Sequence, residues 1–135
     1  MTKKQVQVGD RAEPVSLVVT QERINAYSKI SNDYNPIHVD PEFGRKTEFG
    51  STIAHGVSVA GLMFRAVTRL IGPAWPYQNG RLNITFLSPT RPGDRVTATA
   101  EVKEVREDGL IVCEASCQRD DGTKIMVCQA QGYPV

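Results

Sequence analysis

The chain has 135 residues, 40% of them apolar and 23% charged, with a formal net charge of +1. That length suits one domain, here expected over 1–135, with a core of its own, and the mixture argues against disorder. So small a net charge gives no electrostatic reason to expect nucleic acid or a membrane surface as partner, and no apolar run approaches the ~18 residues of a spanning helix.

MTKKQVQVGD holds two lysines without an apolar stretch behind them, so no secretory signal is expected. Cys113, Cys117 and Cys128 are odd in number and lack CxxC spacing, which predicts buried, reduced thiols and a cytoplasmic location. Residues 4–9 (KQVQVG) alternate and 15–19 (VSLVV) are β-branched, so both are expected to be short extended pieces around Pro14. Thr20 is an N-cap candidate for a helix with Ile24, Tyr27 and Ile30 at helical spacing. Asn32 to Pro36 should end that helix in a tight, rigid turn over 32–38, because the residue before proline disfavours helical backbone. Residues 41–49 allow a short helical turn, weakened by Gly44.

From Gly56, GVSVAGLMFRAVTRLIG places Val57, Ala60, Gly61, Phe64, Val67, Thr68 and Ile71 on one predicted face, and Gly72-Pro73 stops the helix. The small residues Ser58, Ala60 and Gly61 near its start invite close approach by a strand, a backbone or a ligand. The remainder is expected to be all β: RLNITFLS, DRVTATAEVKEV, LIVCEASCQRD and KIMVCQAQGYPV, separated by turn residues. Val96, Ala98, Ala100 and Val102 share one predicted buried face, and Ile111, Cys113, Ala115 and Cys117 another. One long helix followed by a meander of about four antiparallel strands must bury its apolar face on their sheet, an α+β domain in which a sheet wraps a helix. Long edge strands would be covered by dimerisation.

SNDYNPIHVD, residues 31–40, packs two acids and one of the two histidines into that turn. A rigid turn aims side chains at one spot, and a carboxylate with an imidazole can hold a water between them and exchange protons with it. Asp33 and His38 therefore suit addition or removal of water across a double bond. The same residues also fit a plain capped turn, with Asp33 bonding backbone amides and His38 packed beneath. STIAHGVS carries the second histidine, His55, and then Gly56 at a helix start. Free N–H groups there can receive an oxyanion formed from a thioester carbonyl, or Gly56 simply permits a tight entry that His55 caps. His38, Asp40 and His55 match no zinc spacing, Ser58 has no nucleophile-elbow context, and no glycine-rich nucleotide motif is present.

DYNPIH, IAHG opening an apolar helix, and FLSPTRPGD before a strand together resemble the MaoC-like hydratases, a group that includes the (R)-specific enoyl-CoA hydratases and related acyl dehydratases. The resemblance runs from about residue 8 to the C-terminus. It implies a hotdog fold, without a cofactor or metal, in which the segment at about 20–53 carries the acid/base pair. On the motif, Asp33 and His38 take those roles and Asn35 holds the turn. The Gly56 N–H receives the thioester oxygen, while His55, Ser58 and Gly61 face the substrate. It further implies a homodimer and an acyl chain carried on coenzyme A or acyl carrier protein, with Arg45, Lys46, Arg91 and Arg95 available for phosphates. Asn32 stands where the family commonly has glycine, and Gly44 where many members have alanine or serine. A hotdog thioesterase would share the fold but typically uses a carboxylate on the central helix, and residues 56–71 hold no Asp or Glu. A non-catalytic acyl-thioester-binding subunit would be expected to have lost part of the Asp33, Asn35, His38 and Gly56 set.

Overall fold

The computed structural model describes residues 5–134. Its elements run β1 (Val15–Val18), α1 (Gln21–Ser31), α2 (Pro36–Val39), α3 (Pro41–Arg45), α4 (Gly56–Ile71), a 3₁₀ turn (Trp75–Tyr77), β2 (Arg81–Phe86), β3 (Arg95–Val105), β4 (Ile111–Arg119) and β5 (Lys124–Gly132). The five strands form one antiparallel sheet in the order β1-β3-β4-β5-β2. It wraps α4, the α+β hotdog arrangement that the sequence leads one to expect.

Alternation dictates which side of the sheet meets the helix. Val96, Ala98, Ala100 and Val102 of β3 are buried, as are Ile111, Cys113, Ala115 and Cys117 of β4. Against them lies the buried face of α4: Val59, Ala60, Met63, Ala66, Val67, Leu70 and Ile71. Each such large apolar side chain contributes about 1.5–3 kcal/mol by leaving water.

This face differs from the one expected. Ala60, Val67 and Ile71 are on it, but Val57 is 68% exposed and Phe64 37%. Helix α4 is apolar on more than one side, so its spacing admits two faces and the sheet selects one. Val57, Gly61 and Phe64 are left on the other side, away from the sheet. Within α1, Ile24 is buried but Ile30 is 84% exposed, and Ser28 lies inside instead.

Three further expectations change. Among described residues, 5–9 form no strand: Gly9 turns the chain at φ 93°, and the segment meets β3 through hydrogen bonds of Gly9 and Asp10 with Val102 and through an isolated bridge, Arg11 to Glu101; Lys4 lies outside the described residues. The edge strands are short, four residues for β1 and six for β2. The last four strands are not a simple meander: β2 crosses to pair with β5, leaving β3, β4 and β5 consecutive.

Candidate active site

The site is built by a series of side-chain caps. Thr20 accepts from the Arg23 N–H and starts α1 (3.1 Å). Asn32 ends it in the left-handed region at φ 60°, which asparagine tolerates. Asp33 Oδ1 then accepts from the Asn35 N–H and Asn35 Oδ1 from the Ile37 N–H, both at 3.2 Å. Pro36 does not end a helix but opens one, because at the first position of α2 its missing N–H costs nothing. Asp40 Oδ1 caps α3 through the N–H groups of Glu42 and Phe43. The expected irregular turn is therefore a run of short capped helices. Gly44 is required inside it, since a Cβ there would collide with the backbone of Ser51 and Thr52.

These caps leave Asp33 Oδ2 free of the turn, 4.0 Å from His38 Nε2. The carboxylate is half exposed, while the imidazole is only 12% exposed. His38 Nδ1 lies 2.7 Å from the Ile53 carbonyl oxygen. A carbonyl only accepts, so Nδ1 carries the hydrogen and the neutral ring presents its Nε2 lone pair to Asp33. At 4.0 Å the two acceptors are too far apart for a direct hydrogen bond, yet close enough for one water to sit about 2.8 Å from each. The capped-turn reading therefore accounts for Oδ1 and leaves Oδ2 for chemistry.

His38 also stacks on His55, with ring centroids 3.9 Å apart and planes 26° from parallel. Helix α4 starts at the next residue, Gly56, whose N–H has no acceptor among the described residues. Gly56 and His38 line one hollow of about 310 Å³ with Phe49, Ile53, Phe86 and Thr90. A Cβ on Gly56 would sit 2.7 Å from the Phe86 ring, so glycine keeps this corner open. A second, apolar hollow of about 280 Å³ lies on the other side of Ala54 and Val59, lined by Ile24, Tyr27, Ser58 and Leu62. A larger groove, about 830 Å³, is elsewhere, on the outer face of the sheet among paired charges such as Glu101 and Lys103; it contains none of these groups.

Asp33, His38, Asn35, His55 and Gly56 thus come together at one end of α4. Ser58 lines the apolar hollow, and its hydroxyl donates to the His55 carbonyl. Two of the expected substrate-facing residues lie outside both hollows. His55 is 3% exposed and lines neither hollow, because its ring is turned under Asp33 and His38. Gly61 is on the exposed side of α4 and lines neither. Of the basic residues, Arg91 stands at the rim, donating from Nε to the Phe49 carbonyl (3.0 Å); Lys46 pairs with Glu42, and Arg45 and Arg95 are exposed. Asp33, His38 and His55 each bring one candidate metal-ligand atom within 4.8 Å of the others. His38 Nδ1 and His55 Nε2 already face carbonyl oxygens, and Asp40, caught in its cap, is not in this group.

Gln21, Ser28, Ile53 and Thr90 belong to the site without any signal in the sequence. Gln21 donates to the His38 carbonyl (2.8 Å) and accepts from Thr52 Oγ1 (2.6 Å), tying three segments together.

Fold and site together define a hotdog domain with a carboxylate–imidazole pair beside a free helix N-terminus. The MaoC like domain matches residues 3–118, and the chain belongs to that family. A 3-hydroxybutyryl-CoA dehydratase of Methylorubrum extorquens is 36% identical over 102 residues, 73% of this chain and 64% of its own length. An (R)-specific enoyl-CoA hydratase of Aeromonas caviae is 32% identical over 111 residues, 80% of this chain and 79% of the relative. The chain thus spans just under two thirds of the first relative and most of the second. Among solved structures, the A. caviae (R)-hydratase involved in PHA biosynthesis superimposes with a TM-score of 0.86 at 26% identity, covering 98% of this chain and 100% of that one.

Proposed function

We propose that the chain is an (R)-specific hydratase/dehydratase interconverting trans-2-enoyl and (R)-3-hydroxyacyl thioesters. The observation that carries this is the 4.0 Å gap between Asp33 Oδ2 and His38 Nε2, beside the unpaired Gly56 N–H. A water in the gap gives both hydrogens to the two acceptors and turns its oxygen toward C3 of the enoyl group. As that oxygen bonds to C3, the pair removes one proton from it. The electrons of the double bond move onto the thioester oxygen as an enolate, held by the Gly56 N–H. The pair then returns one proton to C2, so water is added in full and neither residue is consumed. Dehydration is the same path reversed. Positioned proton transfer contributes about 10²–10⁴-fold and an oxyanion donor about 10²–10³-fold. Asn35 keeps the turn in shape, and Ser58 faces the apolar hollow.

The names of the relatives support the reaction, and they include both coenzyme A and acyl-carrier-protein substrates, the latter in a mitochondrial 3-hydroxyacyl-[acyl-carrier-protein] dehydratase of Arabidopsis thaliana. The carrier here is one of these two, with Arg91 at the rim the first candidate for its phosphates. A homodimer is supported by exposed Leu82, Phe86 and Leu87 at the β2 edge and by Val57 and Phe64 on α4. Three unpaired thiols favour a reducing, cytoplasmic setting for a single domain over 1–135, and among the described residues no helix is long and apolar enough to cross a membrane. A thioesterase lacks its usual carboxylate on α4, and a purely binding subunit does not account for the intact pair.

The test is the ultraviolet absorbance of crotonyl-CoA with purified protein, followed by chiral analysis. Loss of the enoyl absorbance without thiol release, giving (R)-3-hydroxybutyryl-CoA, is expected. Thiol release would replace the reading with a thioesterase. If crotonyl, longer and branched enoyl thioesters on either carrier all stay unchanged, a binding role replaces it.

A further inference from the structure

His55 is placed where a helix N-cap belongs, yet its side chain makes no capping bond. Its ring instead turns inward and is boxed in. One face stacks on His38 at 3.9 Å, and the Tyr27 ring lies 4.7 Å away at 59°. His55 Nε2 is 3.1 Å from the Asp33 carbonyl oxygen and 3.2 Å from Ser28 Oγ. Because the carbonyl can only accept, Nε2 carries the hydrogen. In the neutral ring Nδ1 is then a bare acceptor, and it is one of two buried side-chain polar atoms without a partner among the described residues. An unpaired buried acceptor is unfavourable, and a phenylalanine would fill the same space without one. What a phenylalanine lacks is the Nε2–H that holds Asp33.

We infer that His55 is a positioning residue of the acid/base pair, holding Asp33 by its carbonyl and His38 by its ring face so that the two acceptors keep their water-bridging separation. This rests on the hydratase/dehydratase reading of Asp33 and His38. At 3% exposure His55 acts through its neighbours and not on the substrate. Its two attachments are separable. Glutamine at this position keeps an N–H near Nε2 and loses the ring; phenylalanine keeps the ring and loses the N–H.

The chain has two histidines, so imidazole nitrogen NMR reads each ring without ambiguity. In the unmodified protein His38 is expected as the Nδ1–H tautomer and His55 as the Nε2–H tautomer. Without the ring face beneath it, His38 can swing off the Ile53 carbonyl that fixes its tautomer, so His55→Gln is expected to blur His38 into a mixture of tautomers, whereas His55→Phe leaves the His38 tautomer intact. With crotonyl-CoA, both variants should lose tenfold or more in kcat with KM within about twofold, since no group at the hollow has changed. A His55 that carries its hydrogen on Nδ1 in the unmodified protein overturns the inference, whether or not the variants fold. Wild-type kcat in both folded variants with a single-tautomer His38 also overturns it. Absence of turnover in the unmodified protein would instead remove the hydratase reading, and the His38 spectrum of the variants would still report whether His55 holds the ring.

Discussion

At 4.0 Å, Asp33 Oδ2 and His38 Nε2 are a pair only when a water joins them, so each should be indispensable to turnover and dispensable to folding. Asp33→Asn and His38→Ala are expected to lower kcat by about 10²–10⁴-fold. Circular dichroism and the melting temperature should change little for Asp33→Asn, because the carboxylate is half exposed and asparagine keeps an oxygen for the cap. Gly44 behaves in the opposite way. Gly44→Ala puts a Cβ into the backbone of Ser51 and Thr52, and the shift needed is expected to destabilise the fold by about 1–3 kcal/mol in urea unfolding. The identities of Asp33, His38 and Gly56 are legible in the sequence because the motif is local. The partners that orient them are not: Ile53 meets His38 across fifteen positions, and Ser28 meets His55 across twenty-seven.

Helix α4 was delimited correctly at both ends, since Gly56 and Gly72 mark them, but its buried face was not. Its exposed side also carries apolar residues, and periodicity cannot rank two apolar faces of one helix. Met63 marks the side the fold selects: it is fully buried, on the helix that packs against β3 and β4. Met63→Ala is expected to cost about 2–5 kcal/mol, whereas Val57→Ala on the exposed side should cost under about 0.5 kcal/mol in a monomeric measurement. The inner faces of β3 and β4 are legible because a period of two separates the sides of a strand: Val96, Ala98, Ala100 and Val102, and Ile111, Cys113, Ala115 and Cys117, are all buried, although Val112 is buried on the opposite side of β4 as well. Helix α2 was missed because its four residues are held by the Asn35 cap and not by any apolar repeat.

For the molecule as a whole, the three cysteines supply a pH signature. Burial pushes the Cys113 thiol up to about 12, with Cys128 nearby adding to it, and the Cys117 thiol up to about 11; Cys128 is raised too. The unfolded chain loses these protons near the ordinary value of 9.0, the folded one only well above it. Ionisation above about pH 9 therefore favours the unfolded state, so the thiols' contribution is complete below pH 9 and is lost as the pH rises toward 11–12. A thiol reagent at pH 8 is expected to modify none of the three in the native protein and all in denaturant, and urea midpoints should fall steadily from pH 9 to 11. At the same scale, light scattering should give about twice the 14.9 kDa of one chain, because the apolar residues of β2 and of the outer side of α4 are otherwise left in water.

Local information sufficed for what is local. Alternation in β3 and β4, the glycine limits of α4, the Thr20 cap and the Asp-x-Asn-Pro-Ile-His run determined the element types, the wrapped-helix architecture and which two residues, Asp33 and His38, are proposed as the acid/base pair. Tertiary structure alone decided the rest: which side of α4 meets the sheet, that β2 pairs with β5, and that His55 is turned beneath Asp33 and His38. Each of these is a competition between alternatives of nearly equal local energy. Contacts between residues far apart in the chain settle it, and no spacing in the sequence records them.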